Sequence, residues 1–450
     1  MRKRKASCKR KREQGQTILL VAIGLISLLA MAALAIDVVT LYAARSETQR
    51  AADATALAAA KAIADSGFTT LPPGDPNIVN GNAQALAQNM ATSVINAMLT
   101  APGPINQVAG IQPVLVGTPT LFFPTTAVPP NSNPHITVTL QVTTLPTFFA
   151  RIWGNRTATV TASATAEAYN PANVQNFTPI APRGVKPWLV ANADPTTISL
   201  TKFITPGTGA IESGVIGETF NLTADCNRNP RNSCALFDPL PQATYSITYP
   251  KVDYVPAPVT ASSNDVCPSP SSCTENPNYP DYQDSIQCHD VNPYPCGGPI
   301  NNFSWDPTTN PRGRRGPTAL GAECLIRAAS GQDQLQILGT WPAAPFQFKA
   351  QSGPQNGNLV TTSSSVVTIP IIDTTAGVFE AGSPYGVTVV GFMQAFINQV
   401  QDGTNGTTPG DVNLTVLNIA GCSATPNLNV ANPVVGSGTS PIPVRLIAPP

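Results

Sequence analysis

The sequence predicts an α+β protein: an N-terminal transmembrane helix continuing as a long rod, then mixed α/β and β-rich, disulfide-containing exported domains. Three observations predict it. Ile18 to Ile36 (ILLVAIGLISLLAMAALAI) is an apolar run without charge or proline, and roughly 20 such residues in a helix cross the ~30 Å hydrocarbon core of a bilayer. Asp37 to Ser66 contains no glycine or proline and is rich in alanine, the best helix former. Further on, several segments alternate apolar and polar residues in the period-two manner of strands, and eight of the nine cysteines lie beyond the apolar run.

The flanks of the apolar run set its topology. Arg2, Lys3, Arg4, Lys5, Lys9, Arg10, Lys11 and Arg12 precede it, so the positive-inside rule keeps residues 1–14 in the cytoplasm and sends the chain after Asp37 outward. The same basic tract fits a nucleic-acid site, but the adjacent span already accounts for it. The rest of the chain carries 17 basic residues against 25 acidic ones, which argues against nucleic acid as a partner of the exported part. Only 11% of residues are charged and 46 of 450 are proline, the composition of a loop-rich exported chain long enough for two compact domains. Ala33-Leu34-Ala35 has the small-x-small form of a signal-peptidase site, which would release a protein beginning at Ile36. Retention is expected instead, because the run exceeds a signal-peptide core and the helix continues through the site. A prepilin-type cut after Gly15 is a third option, but Leu20 stands where pilin-like precursors place glutamate.

The rod spans residues 15–67. Glu47, Arg50 and Asp53 alternate in sign at i,i+3, and Gly67 is a natural C-terminal stop. About 50 helical residues are ~75 Å long, which would hold a downstream domain ~45 Å from the lipid. The small-residue face at Ala52, Ala56, Ala59 and Ile63 suits either a second helix or, as expected here, the chain's own downstream domain.

Residues 77–170 read as an α/β domain. Leu86, Met90, Val94 and Met98 or Leu99 give Ala83–Leu99 the spacing of an amphipathic helix. His135–Thr144 and Ala158–Ala168 alternate as strands around Phe148, Phe149, Ile152 and Trp153, a cluster read as core, with a membrane-proximal role as the alternative. Residues 175–424 read as β-rich, with a strand at Val366–Asp373, a strand running into a helix over Val387–Val400, and a strand at Val412–Cys422. A Cys/Pro-rich insertion at about 225–315 has too few apolar runs for a core of its own, so crosslinks should hold it. The tail, 425–450, is proline-rich and expected to be extended or frayed. Arg312-Gly313-Arg314-Arg315 reads as an exposed loop, with a protease-cut or anion site as the alternative.

The exported cysteines are Cys226, Cys234, Cys267, Cys273, Cys288, Cys296, Cys324 and Cys422, an even set that fits disulfides in an oxidising compartment. Nearest-neighbour pairing gives Cys226–Cys234, Cys267–Cys273, Cys288–Cys296 and Cys324–Cys422. Zinc is the alternative, but no CxxC occurs and the exported histidines are His135 and His289. No nucleophile elbow, HExxH, phosphate loop or dinucleotide fingerprint is present. Cys288-His289-Asp290 crowds catalytic residue types, yet sequence neighbours point apart, and a disulfide cysteine beside loop residues accounts for it. Asp402–Asp411 offers oxygens to calcium but lacks the EF-hand spacing and reads as a polar loop. Catalytic, cofactor and metal sites are therefore all expected to be absent.

The stretch GQTILLVAIGLISLLAMAALAIDVVTLYAARSETQRAADATALAAAKA resembles the N-terminal segment of the Tad (Flp pilus assembly) TadE/TadG-like family. Gly15, Gln16, Asp37, Tyr42, Gln49 and Asp53, with Ala51, Ala52 and Ala54–Ala60, carry the resemblance. LPTFFARIWGNRTATVTASATAEA resembles the family as well, in its order of strand, aromatic-rich helix and strand. The resemblance implies a bacterial inner-membrane protein, single-pass, with a cytoplasmic N-terminus and a periplasmic bulk. It also implies an accessory or scaffold role, without enzymatic activity, in assembling Flp-type pili. Partners would be the membrane, pilus-assembly proteins or pilin subunits, and cell-wall or outer-membrane components. Asp37 would mark the water interface, and Gln49 with Asp53 would fix the rod to its domain. The von Willebrand A metal motif of some TadG-like proteins is absent. An exported envelope or surface-binding protein on the same anchor is the alternative, and an exported hydrolase a remote third.

Overall fold

The computed structural model describes residues 10–71, 113–122, 133–147, 157–168, 184–224, 243–257, 280–288, 299–304, 311–328, 331–341, 346–373, 384–400, 410–422 and 442–447, together with the pairs 180–181 and 434–435 and isolated positions between. Its principal helices are α1 (Arg10–Asp65), α2 (Pro280–Gln287) and α3 (Pro311–Leu325). The strands that build the core are β1 (His135–Pro146), β2 (Thr157–Ala168), β3 (Trp188–Ala191), β4 (Thr219–Ala224), β5 (Lys251–Pro256), β6 (Pro299–Ser304), β7 (Val366–Ile372), β8 (Pro384–Val400), β9 (Val412–Gly421) and β10 (Val444–Ile447). The amphipathic helix expected over Ala83–Leu99 and the aromatic cluster at Phe148–Trp153 lie largely outside the described residues, as does the loop after Asp402.

Two sheets share one continuous core. In the first, β1 and β2 pair antiparallel and β10 adds to the far side of β2. Period-two alternation sends Ile136, Val138 and Leu140 of β1 and Ala162, Ala164 and Ala166 of β2 to one buried face. Helix α1 lies across that face, and it does so closely because the helix presents Ala51, Ala52, Ala56, Ala59 and Ala60, all at most 1% exposed. Small side chains on both partners let the helix backbone settle near the sheet. β10 belongs to the tail expected to be frayed; Val444 pairs with Ala168 and Arg445 forms an ion pair with Glu167 at 2.5 Å.

The second sheet closes on itself. β8 pairs with β7, β7 with β3, β3 with β5, β5 with β4, β4 with β9, and β9 returns to β8, a six-stranded barrel of mixed parallel and antiparallel pairs. Closure removes the open edges that an unprotected sheet would present. β7 is buried along its whole length, VVTIPII, because side chains fill the barrel on one side and other elements cover it on the other. Phe220, Phe392, Phe396 and the Trp188–Tyr254 pair, 6.2 Å between ring centroids, are among its large buried side chains.

Four expectations are corrected. Val387–Val400 is one extended strand, not a strand running into a helix, because both edges of β8 find partners. The stretch 225–315 is not merely an insertion: KVDYVP forms β5 between β3 and β4 in the barrel wall. Arg312–Arg315 falls inside α3, not in a loop. The rod is a single helix of 56 residues, but it does not hold the domain ~45 Å away from the lipid, since its outer part is embedded in the fold.

Candidate functional site: the anchor helix and its seat

Helix α1 has two parts of opposite character. From Ile18 to Val39 its large apolar side chains are exposed, and Tyr42 is 77% exposed. No other helix among the described residues is long and apolar enough to cross a membrane. Apolar burial begins at Ala44, which packs on Val142 and Leu145 of β1, with Leu41 alongside. From Ala51 to Phe68 the helix and the turn after it belong to the main core. Ala44 lies eight residues beyond Ile36, about 12 Å along the axis, so the folded domain begins shortly after the apolar run ends.

Polar contacts fix the helix in its seat. Gln49 donates through Nε2 to the Ser163 carbonyl of β2 at 3.2 Å and to Asp53 Oδ1, one turn along its own helix, at 2.8 Å. Glu47 and Arg50 form an exposed ion pair at 3.3 Å. At the C-terminus, orphan carbonyls need donors, and the barrel provides one: Asn418 of β9, wholly buried, donates its Nδ2 to the Ala64 carbonyl. Thr69 in the following turn donates to Asn418 Oδ1 at 3.4 Å. Asp65 is paired with Lys61 at 2.8 Å and hydrogen-bonded to Gln394 of β8. Burial raises the Asp65 pKa, against the opposing pull of Lys61.

The chain leaves the helix through Gly67 at φ +78°, the left-handed conformation that glycine adopts without cost. A Cβ there would stand 3.0 Å from the Leu417 carbonyl and 3.1 Å from Ile216 Cγ2. Phe68 then packs against Trp341 at 4.8 Å between ring centroids, and Trp341 against Phe346 at 5.2 Å.

The remaining expected residues are distributed as follows. Gly15 lies in α1, Gln16 is exposed, and Asp37 is 5% exposed. Cys296 is bonded to Cys422 across 126 residues, with Cα atoms 5.4 Å apart. This overturns the nearest-neighbour pairs Cys288–Cys296 and Cys324–Cys422; Cys288 and Cys324 are each disulfide-bonded. Cys226, Cys234, Cys267 and Cys273 lie outside the described residues, as do His289 and Asp290. With its thiol in a disulfide, Cys288 is no nucleophile. Among the described residues no three His, Cys, Asp or Glu side chains cluster as metal ligands. Sequence reasoning missed Asn418 and Gln394, whose signal is an amide set between two apolar neighbours in a strand, Leu417 and Ile419 or Met393 and Ala395.

A second polar group sits by the barrel. Burial, then the neighbouring Asp194, push Glu218 up to about 7. Asp194 Oδ1 accepts from both the backbone amide and the hydroxyl of Thr196 at 2.8 Å.

An exposed apolar helical segment running without a break into a buried, capped seat defines a protein with one candidate membrane anchor built into its folded domain. Residues 15–62, the anchor and most of its seat, match the Tad family model, described as "Putative Flp pilus-assembly TadE/G-like". No curated protein and no solved structure matches the chain.

Proposed function

We propose that the protein is a non-enzymatic, membrane-anchored accessory or scaffold component of Tad/Flp-type pilus assembly. Its N-terminus is cytoplasmic and its folded bulk extracytoplasmic, following the basic residues before the span. The observation that carries this reading is the continuity of α1: the segment matching the Tad model runs from bare apolar surface directly into the core. Such a helix transmits position and load from the membrane to the domain, and pilin subunits or assembly proteins would meet a surface held at a fixed height and orientation.

The test is recovery of the tagged full-length protein from detergent-solubilised membranes of its native host, with co-purifying proteins identified and pili counted in a deletion strain. Co-purification of pilus-assembly components and loss of pili are the expected results. Recovery from the soluble fraction with Ile36 as the N-terminal residue, and normal pili on deletion, would overturn the reading.

A further inference from the structure

A cleft of about 570 Å³ opens on the barrel wall, within the roughly 300–1,000 Å³ usual for small-molecule sites. Its floor is the start of β4, the end of β8 and the start of β9, and its rim is the loop 245–250 that joins a short strand to β5. None of its lining side chains is charged. Thr219, Asn221, Gln399 and Asn413 supply hydroxyls and amides, while Tyr245 and Tyr249 supply aromatic faces.

The floor is preorganised. Asn398 donates to Asn413 Oδ1 at 2.8 Å and to Thr415 Oγ1 at 2.9 Å, and Asn413 donates to Asn221 Oδ1 at 2.7 Å. This relay fixes which way each amide faces. The rim is also held, since Ser246 Oγ accepts from the backbone amides of Thr248 and Tyr249. Behind Thr196, another lining residue, stands the Asp194–Glu218 carboxyl pair. Lys251 beside the rim is paired with Asp411 at 3.3 Å.

We propose that this cleft binds a neutral, N-acetylated glycan chain. Oriented amides that both donate and accept match acetamido and hydroxyl groups, and the tyrosine rings offer flat apolar surface to sugar rings while their hydroxyls stay wet. The uncharged lining and the carboxyl pair behind it disfavour an anionic ligand. The inference goes beyond the pilus-related role and rests only on the extracytoplasmic placement proposed above, where such chains are met whether or not pili are made.

The experiment is titration of the full-length protein in nanodiscs with chitotetraose, the β-1,4-linked tetramer of N-acetylglucosamine, followed by calorimetry and saturation-transfer NMR, with maltotetraose for comparison. Chitotetraose is expected to bind more tightly than maltotetraose. Tyr249→Ala, at an exposed position, should weaken it by about fivefold or more without changing the melting temperature, and Tyr249→Phe should retain binding. Asn413→Ala should abolish it. No saturable binding of chitotetraose to the folded protein, equal binding of the two sugars, or full binding by Tyr249→Ala would each overturn the proposal. Pilus counts do not enter this readout, so its failure is distinct from failure of the scaffold reading.

Discussion

The joint between anchor and barrel depends on one side chain more than any other, and Asn418→Ala tests that. Asn418 is wholly buried, donates to the Ala64 carbonyl, and accepts from Thr69 Oγ1 at 3.4 Å and from the Ile419 amide at 3.0 Å. Alanine removes the donor from a buried helix-terminal carbonyl and the acceptor from a buried hydroxyl. The stranded carbonyl costs about 1–3 kcal/mol, and with the lost Ile419 and Thr69 contacts the loss is about 2–4 kcal/mol. At roughly 2–4 °C per kcal/mol for a large domain, the melting temperature should fall by about 10 °C. The assay is thermal unfolding of the full-length protein in nanodiscs, followed by near-UV circular dichroism, with hydrogen exchange read across residues 59–70. Faster exchange confined to the end of α1 and the turn at Phe68–Thr70 is expected at temperatures below the transition. A melting temperature within about 2 °C of the parent and unchanged exchange would refute the view that the barrel caps the anchor.

Three further outcomes follow from the same contacts. Gly67→Ala should destabilise by about 1–3 kcal/mol in urea unfolding, combining left-handed strain with the 3.0 Å approach to the Leu417 carbonyl. Cys422→Ser should cost about 2–5 kcal/mol, because its partner lies 126 residues away and the closed loop is long; thiol counting before reduction should show one additional free thiol, on Cys296. Stability should fall as pH rises from about 4.5 to about 7, because Glu218 is raised to about 7 in the folded state and holds a proton there that the unfolded chain has released. The contribution is fully present below the unfolded value and lost through the folded one. Asp65, also raised by burial, acts in the same direction; Glu218→Gln should flatten the Glu218 part of a melting-temperature profile between pH 5 and pH 8.

Local patterns disclosed the elements whose partners do not change their reading. The run of α1 from residue 15 and its stop before Gly67 followed from propensity and one glycine, though the helix starts earlier, at Arg10, while β1, β2, β7 and β9 followed from alternation or apolar runs of strand length. β5 was hidden because its alternation, from Lys251 to Tyr254, is only four residues long and prolines frame it. β8 was misread because FMQAFINQ places Phe392, Ala395 and Phe396 at helical spacing; only its two strand partners settle the matter. The Cys296–Cys422 bond depends on β6 and β9 both pairing with β8, a property of no local window. Asn418 was visible as a residue but not as a cap, since the carbonyl it serves lies 354 positions away.

The embedded helix changes what a long anchor does. A free rod would let the domain swing about a flexible joint, and a partner bound to it would sample many heights above the membrane. Here residues 44–66 are gripped by β1, β2 and β9, a length of about 34 Å at 1.5 Å per residue. Pulling the domain outward therefore loads many small alanine contacts and their flanking hydrogen bonds in shear, all at once, rather than one hinge. A side-by-side interface of that length resists until it gives way cooperatively, whereas a hinge yields gradually. The alanine face is thus the feature that turns a candidate membrane span into a rigid mount: larger side chains would hold the sheet away, and polar ones would strand their groups in the core.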